Sequence, residues 1–185
     1  MNEPASFKGP LPDDVQFADE DDTVILHKDA HNIYGHCMAM ATKDGWLKYD
    51  GRRPFIITRA AYAGTQRYAL VWTGDNQSIW AHLQMAIPQL CNLGLSGFSY
   101  AGTDVGGFGA DTTKELLARW VQVGCLSPFF RNHSAQGTRK QEPWQFDKEL
   151  LEIYRKYVEL RYHLLPYIYD LSLIHISEPT RLQLI

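Results

Sequence analysis

The feature of this sequence that most restricts its fold is an alternation between helical patterns and short apolar runs. Apolar residues recur at helical spacing in four segments, at residues 31–45, 78–94, 111–126 and 147–171. Apolar runs typical of strands lie near residues 54–59, 68–72 and 97–101 and within 127–134. The order is helix, strand, strand, helix, strand, helix, strand, helix, which predicts the α/β class with a parallel sheet.

Polar clusters follow three of the predicted strands, namely TGDN, GTDVGG and RNHS. In a (β/α) barrel the carboxyl ends of the strands form the face on which active sites lie. The clusters therefore predict a site on that face. Because four strands are predicted, we expect half of an eight-stranded TIM barrel and not a closed one.

Composition argues against several classes of function. With a net charge of −3, nothing in the composition suggests a protein that binds nucleic acid or another polyanion through its charge. No apolar run reaches the roughly 18 residues that a membrane helix needs. The cysteines Cys37, Cys91 and Cys125 are odd in number and widely spaced, so neither a zinc site nor a disulfide framework is predicted. Buried, reduced thiols in a cytoplasmic protein are the expectation.

Asp75, in WTGDN, is the first candidate for chemistry. Gly74 permits a tight loop, and Trp72 precedes the carboxyl by three residues. A carboxyl beside an aromatic wall can be partly desolvated, which raises its pKa and suits a general acid. The alternative is that Asp75 caps the helix whose pattern begins at Ser78.

Asp104 lies in the glycine-rich stretch GTDVGGFG. A phosphate cradle is a poor interpretation, because the spacing lacks the GxGxxG order and the carboxylate would repel a phosphate. A carboxylate in an open loop that accepts ligand hydroxyls fits better, and a plain turn is the alternative.

Two further residues carry weak signals individually. Arg67 is either a surface charge or a partner that orients an aspartate. His133, in FFRNHS, is either structural or part of the site. We expect Arg67 and His133 to lie with Asp75 and Asp104 on one barrel face, at the carboxyl ends of the strands. Trp72 and Phe108 would be the walls, and such a set is what glycoside hydrolysis needs. No metal cluster competes with this interpretation.

The same stretches carry a family resemblance. MNEPASF, HNIYG, RPFIITRAAYAGTQRY, WTGDN, GTDVGGF and FFRNHS occur in the order found in glycoside hydrolase family 31 and cover roughly residues 1–170. The chain thus resembles the catalytic barrel of this α-glucosidase and α-xylosidase family. The resemblance implies an α/β fold that is the C-terminal half of a (β/α)8 TIM barrel, incomplete.

The resemblance also implies roles. Asp75 matches the general acid/base. The implied substrate-binding residues are Arg67, Trp72, Asp104, Phe108, His133 and Met1. Among them, Asp104 and His133 would bind sugar hydroxyls, and Trp72 and Phe108 would be pocket walls. Neither a metal nor a cofactor is implied.

The ends of the sequence raise a separate expectation. In the family the nucleophile is the aspartate directly before the Met-Asn-Glu-Pro segment, a position that precedes Met1 here, and Glu3 is not expected to replace it. Residues 171–185 include LSLIHISEPTR, which resembles a translated sequencing adapter. We therefore predict a partial catalytic barrel over 1–170 and a non-native tail over 171–185.

The expected function is that of a fragment of a retaining α-glycosidase. The parent protein would release terminal, non-reducing α-linked glucose from oligosaccharides, and the isolated chain would be inactive. Nucleic-acid and membrane partners are not expected. The alternatives are an α-xylosidase or glucosyltransferase relative, or a non-catalytic carbohydrate-binding remnant.

Overall fold

The structure is a computed structural model that describes the backbone of residues 4–18, 21 and 23–177, and the side chains of these as far as residue 172. The chain divides into two compact units, Met1–Trp72 and Thr73–Ile185. Met1 and residues 178–185 lie outside the described residues.

The first unit begins with two short antiparallel pairs. Strand β1 (Ala5–Ser6) pairs with β2 (Gly9–Pro10), and β3 (Gln16–Ala18) pairs with β4 (Val24–Leu26). Residues 7–29 are acidic and contain prolines, a composition that predicts a surface loop with one short extended piece, TVILH. That piece is β4, whereas β2 and β3 were not predicted.

Helix α1 (His27–Asp50) is longer than its pattern predicts. It was expected to end near Gly45, but its last turn is closed by Gly51, whose φ is 71° and whose N–H donates to the Leu47 carbonyl at 3.1 Å. Helices commonly end where the residue after the last turn adopts the left-handed backbone conformation, and glycine adopts that conformation without steric cost. Gly45 therefore lies inside the helix.

The first unit also contains a parallel strand pair. Strand β5 (Ile57–Thr58) pairs with β6 (Leu70–Trp72), with Ile57 opposite Leu70. The connection between the strands contains a single 3₁₀ turn, Thr65–Arg67, and no α-helix. Both strands are shorter than the apolar runs that predicted them.

The second unit alternates helices with a second parallel pair. Helix α2 (Trp80–Leu95) precedes β7 (Ala101–Val105), and α3 (Lys114–Gly124) leads to β8 (Phe129–Asn132). The long helix α4 (Lys148–Ser177) follows. Strands β7 and β8 are parallel. The predicted order of helices and strands and the α/β class are confirmed; the described strands do not close a barrel.

Two predicted boundaries in this unit are wrong. The strand expected near residues 97–101 is β7, which begins at Ala101 and so contains Asp104. The helical pattern of α3 begins at Asp111, which predicts Asp111 as its N-cap. The structure instead places Thr113 at the cap, where its side chain accepts from the Leu116 N–H at 3.3 Å. Asp111 instead accepts from the backbone N–H of Arg139.

The core of the second unit lies where α2 and α3 pack against β7 and α4 packs against α3. Its buried members are Leu83, Val105, Leu116, Leu117, Ala118, Trp120, Val121 and Leu150. The indole of Trp120 is fully buried among them. This packing fixes β7, and with it the position of Asp104.

None of the described helices is both long enough and apolar enough to cross a membrane. Helix α4 continues past residue 171 to Ser177, although the amphipathic pattern ends earlier. Leu171 is 38% exposed. If residues 171–185 are a non-native tail, they should make few core contacts. Leu171 and Ser172 are exposed, and the side chains of residues 173–185 lie outside the described residues.

Candidate active site

The candidate site of the second unit is built on the register of β7 and β8. Asp104 on β7 lies opposite Arg131 on β8. The Arg131 guanidinium donates to Oδ1 of Asp104 and forms an ion pair with it. His133 follows directly after β8. The parallel register thus places three ionisable side chains at one end of the strand pair.

The environment of Asp104 differs from the expected open loop. Its side chain is 0% exposed, and Oδ2 has no hydrogen-bond partner among the described residues. Burial raises the pKa of Asp104, which the hydrogen bond and charge of Arg131 oppose. The charge of His133 also lowers this pKa, and the charge of Asp75 raises it. Asp75 and His133 therefore lie within electrostatic reach of Asp104.

Asp75 is exposed, and the expectation that it is partly buried is wrong for this structure. Gly74, with φ of 81°, turns the loop, and Asn76 occupies the buried position that follows. The alternative role as a helix cap is not observed either. Helix α2 begins at Trp80 with Ile79 in the cap position and no side-chain cap.

Asn76 is the residue of this site that the sequence analysis missed. Its Nδ2 donates to Thr103 Oγ1 at 2.7 Å and to the Asp104 carbonyl at 3.1 Å. Its Oδ1 accepts from the Phe108 N–H at 2.9 Å. The sequence offers one signal for it, which is an asparagine directly after the candidate acid. When such an amide is buried, it forms several hydrogen bonds and so fixes the loop that carries it.

Phe108 and His133 form a stacked pair. Their ring centroids are 5.3 Å apart and their planes are inclined by 26°. The Phe108 carbonyl accepts from the Ala135 N–H at 2.8 Å, which ties the loop after β7 to the loop after β8. His133 is exposed, so it is not a core histidine. This pair is a wall that a sugar ring could contact.

The glycine-rich stretch has a packing explanation. Gly107 has φ of 90°, and a Cβ there would lie 2.5 Å from the Cα of Ser78. Its carbonyl accepts from Nε2 of the buried Gln141 at 2.7 Å. Close approach of two loops therefore requires glycine here, which favours the plain turn over a phosphate cradle.

Trp72 and Arg67 belong to the first unit. Trp72 ends β6 and is half-buried. Arg67 lies in the 3₁₀ turn before β6, at the opposite end of that strand. Its Nε donates to the Gly64 carbonyl at 3.2 Å, and its guanidinium lies 5.3 Å from the Tyr68 ring centroid. The expectation that Arg67 lies at the carboxyl ends of the strands is therefore not met.

The roles of Arg67 and Trp72 in substrate binding stay predictions. Arg59 directly follows β5 and is a second arginine candidate, which the sequence analysis did not single out. Met1, the remaining predicted pocket residue, lies outside the described residues.

The described part of the chain contains no group of three or more metal-ligating side chains. The cysteines differ from expectation, because Cys125 is buried whereas Cys37 and Cys91 are exposed. Burial raises the pKa of the Cys125 thiol.

Parallel strands alternating with helices, with carboxylates at the strand ends, define the class of (β/α) barrel domains. The chain belongs to glycoside hydrolase family 31: the model for "Glycosyl hydrolases family 31 TIM-barrel domain" matches residues 1–171. This confirms the family and the barrel fold that the sequence motifs indicated.

Relatives with curated names are α-glucosidases. The chain is 51% identical over 173 residues to α-glucosidase 2 of Bacillus thermoamyloliquefaciens, covering 92% of this chain and 22% of that protein. It is 44% identical over 176 residues to a probable glucan 1,3-α-glucosidase of Arabidopsis thaliana, covering 92% and 19%. The chain thus spans about a fifth of the length of these relatives.

Solved structures of α-glucosidases also superpose on this chain. A glucosidase II α subunit, crystallised in a Glc1Man2-bound form, superposes with a TM-score of 0.86 at 38% identity, covering 96% of this chain and 20% of that one. A family 31 α-glucosidase from Bacteroides thetaiotaomicron superposes with a TM-score of 0.76 at 40% identity, covering 89% and 28%.

Proposed function

We propose that this chain is part of a retaining α-glycosidase that releases terminal, non-reducing α-linked glucose. The observation that carries the proposal is that the exposed carboxyl of Asp75 and the exposed ring of His133 both lie within electrostatic reach of the buried carboxyl of Asp104. The names of the relatives support glucose as the sugar.

In this proposal Asp75 is the general acid/base. It protonates the departing glycosidic oxygen, and then deprotonates the water that releases the sugar. The nucleophile is an aspartate in the segment before Met1 of a longer polypeptide, and it forms the covalent glycosyl-enzyme. In a retaining pair the two carboxyl groups lie about 5–5.5 Å apart.

The proposed hydroxyl-binding residues differ in accessibility. His133 is exposed and can reach a sugar directly, while Phe108 supports its ring. Asp104 is buried, so its unpartnered Oδ2 can accept a sugar hydroxyl only if the side chains that cover it move. Asp104 also holds Arg131 in place, and this contact needs no such movement. A cytoplasmic location stays a prediction.

The test uses the full-length protein that contains this chain. Asp75→Asn should lower kcat on maltose by roughly 10²–10⁴-fold, because general acid–base catalysis contributes that much. An aryl α-glucoside with a good leaving group should be affected less, because its oxygen needs less protonation. Asp44→Asn, on the exposed face of α1, is the matched control and should behave as wild type.

Several outcomes would contradict the proposal. If Asp75→Asn leaves maltose hydrolysis unchanged, Asp75 is not the acid. Preferred cleavage of α-xylosides, or glucosyl transfer in place of hydrolysis, would favour the alternative enzymes. Sugar binding without turnover would favour a binding remnant. The 185-residue chain expressed alone should hydrolyse neither substrate, and turnover by it would refute the upstream nucleophile.

A further inference from the structure

Asn76 joins three parts of the candidate site through one side chain. It belongs to the loop that carries Asp75, and its amide contacts Thr103 and the Asp104 carbonyl on β7. The same amide contacts the backbone of Phe108, whose ring stacks on His133. The candidate acid, the buried carboxylate and the aromatic wall therefore share one connecting residue.

The orientation of this amide follows from its partners. The Phe108 N–H is a donor and requires Oδ1, while the Asp104 carbonyl is an acceptor and requires Nδ2. Asn76 is 9% exposed, so unmade hydrogen bonds would not be replaced freely by water. The side chain is thus held in one orientation by contacts to residues 27–32 positions away in the sequence.

The backbone of Asn76 strengthens the connection. Its carbonyl accepts from the N–H groups of Phe108 at 3.0 Å and Gly109 at 2.9 Å. Its own N–H donates to the Gly74 carbonyl at 2.9 Å, so the turn that contains Asp75 is closed on the fixed residue. The start of the loop is also tied to β7, because the Thr73 N–H donates to the Gly102 carbonyl at 3.1 Å. At the turn that follows, the contacts to Thr103 and Asp104 of β7 come from the Asn76 side chain.

We infer that Asn76 is a positioning residue, which holds the Asp75 loop at a fixed distance from β7 so that Asp75 meets the glycosidic oxygen. The inference rests on the proposed function of Asp75. Asp75 directly precedes Asn76 in the chain, so the backbone position of Asp75 follows the loop that Asn76 holds. A misplacement of about 1 Å at a reacting group can cost 10²-fold in rate.

The experiment compares two substrates on the full-length protein. Asn76→Ala should lower kcat on maltose by about 10–100-fold. The decrease in kcat on 4-nitrophenyl α-glucoside should be several-fold smaller, because a good leaving group departs with little protonation and so depends less on the position of the acid. A merely structural defect would reduce the amount of active enzyme and lower both rates by the same factor. The ratio of the two kcat values is therefore independent of the folded fraction.

A second variant keeps the test decisive if Asn76→Ala does not fold. Thr103→Val conserves volume and removes only the hydroxyl that accepts from Asn76 Nδ2. It should change the same ratio in the same direction, by a smaller factor of about 3–10-fold. Asn92→Ala, exposed on α2, is the matched control and should leave the ratio unchanged.

Asp75→Asn distinguishes failure of the inference from failure of the proposed function. If Asp75→Asn changes the ratio while Asn76→Ala and Thr103→Val lower both rates equally, the positioning role is wrong. If Asp75→Asn does not change the ratio, the proposed acid is wrong and the inference falls with it. A changed ratio in all three variants supports both.

Discussion

The ion pair between Asp104 and Arg131 supports a prediction about stability. Asp104 is fully buried, and the side chain of Arg131 is 24% exposed. Arg131→Met keeps most of the aliphatic stem but leaves a buried carboxylate without its cation. Removing one partner of a buried pair costs about 3–5 kcal/mol. Because solvent reaches part of Arg131, we expect the lower end, about 3 kcal/mol in the free energy of unfolding near pH 7.

The cost should depend on pH in a defined direction. Burial already raises the pKa of Asp104, and Arg131 opposes that effect. Without Arg131, the folded-state pKa of Asp104 rises further above the roughly 3.9 of an unfolded chain. A carboxyl with a raised pKa contributes stability that is fully present below the unfolded pKa and is lost as pH rises through the folded pKa. The deficit in the free energy of unfolding should therefore be larger at about pH 7.5 than at about pH 4.5.

The assay is urea unfolding of the full-length protein, followed by far-ultraviolet circular dichroism at those two pH values. Adding Asp104→Asn to Arg131→Met removes the buried charge, and should recover most of the stability and its pH dependence. Arg155→Met breaks an exposed pair with Glu152 on α4 and should cost less than about 1 kcal/mol. The reasoning is refuted if Arg131→Met costs no more than Arg155→Met, or if its cost is the same at both pH values.

Three further predictions concern the second unit. Thr113→Ala should cost about 1 kcal/mol and abolish hydrogen-exchange protection in the first turn of α3, whereas Asp111→Ala should preserve that protection. Trp120→Ala should cost about 3–5 kcal/mol, measured from urea midpoints, because the ring is fully buried. Gly107→Ala should lower the Tm more than Gly137→Ala. Both glycines have φ near 90°, but only at Gly107 does a Cβ meet a neighbouring backbone.

The order of helices and strands was predictable because it depends on local periodicity. Each apolar pattern is contained in one segment, and its period distinguishes a helix from a strand without knowledge of distant contacts. The location of the polar clusters was predictable for a related reason, because clusters that follow strands lie at the carboxyl ends of a parallel sheet.

The burial of the Asp75 and Asp104 carboxyls could not be predicted. The sequence predicts a partly buried Asp75 and an open Asp104, and the structure shows the reverse. Burial depends on partners far away in the sequence. Asn76 takes the buried position because Thr103 and Phe108 offer it hydrogen bonds, which leaves Asp75 on the outside.

Element ends were predicted less well for a related reason. Asp111 and Thr113 are both good capping residues, and Gly45 is as flexible as Gly51. Local chemistry does not choose between such neighbours. Contacts from distant residues decide which of them ends or caps the helix. The Asp111 carboxylate, for example, accepts a hydrogen bond from the Arg139 N–H.

The buried indole of Trp120 gives the second unit an optical reporter. Its Nε1 has no hydrogen-bond partner among the described residues, and the ring is surrounded by aliphatic side chains. An indole in such surroundings emits at shorter wavelength than one in water and is shielded from acrylamide quenching. Trp144, at 69% exposed, should be quenched readily. Trp72 is half-buried as well, so the emission of Trp120 is the unquenched part that is lost in Trp120→Phe. That part measures whether the core around β7 is intact.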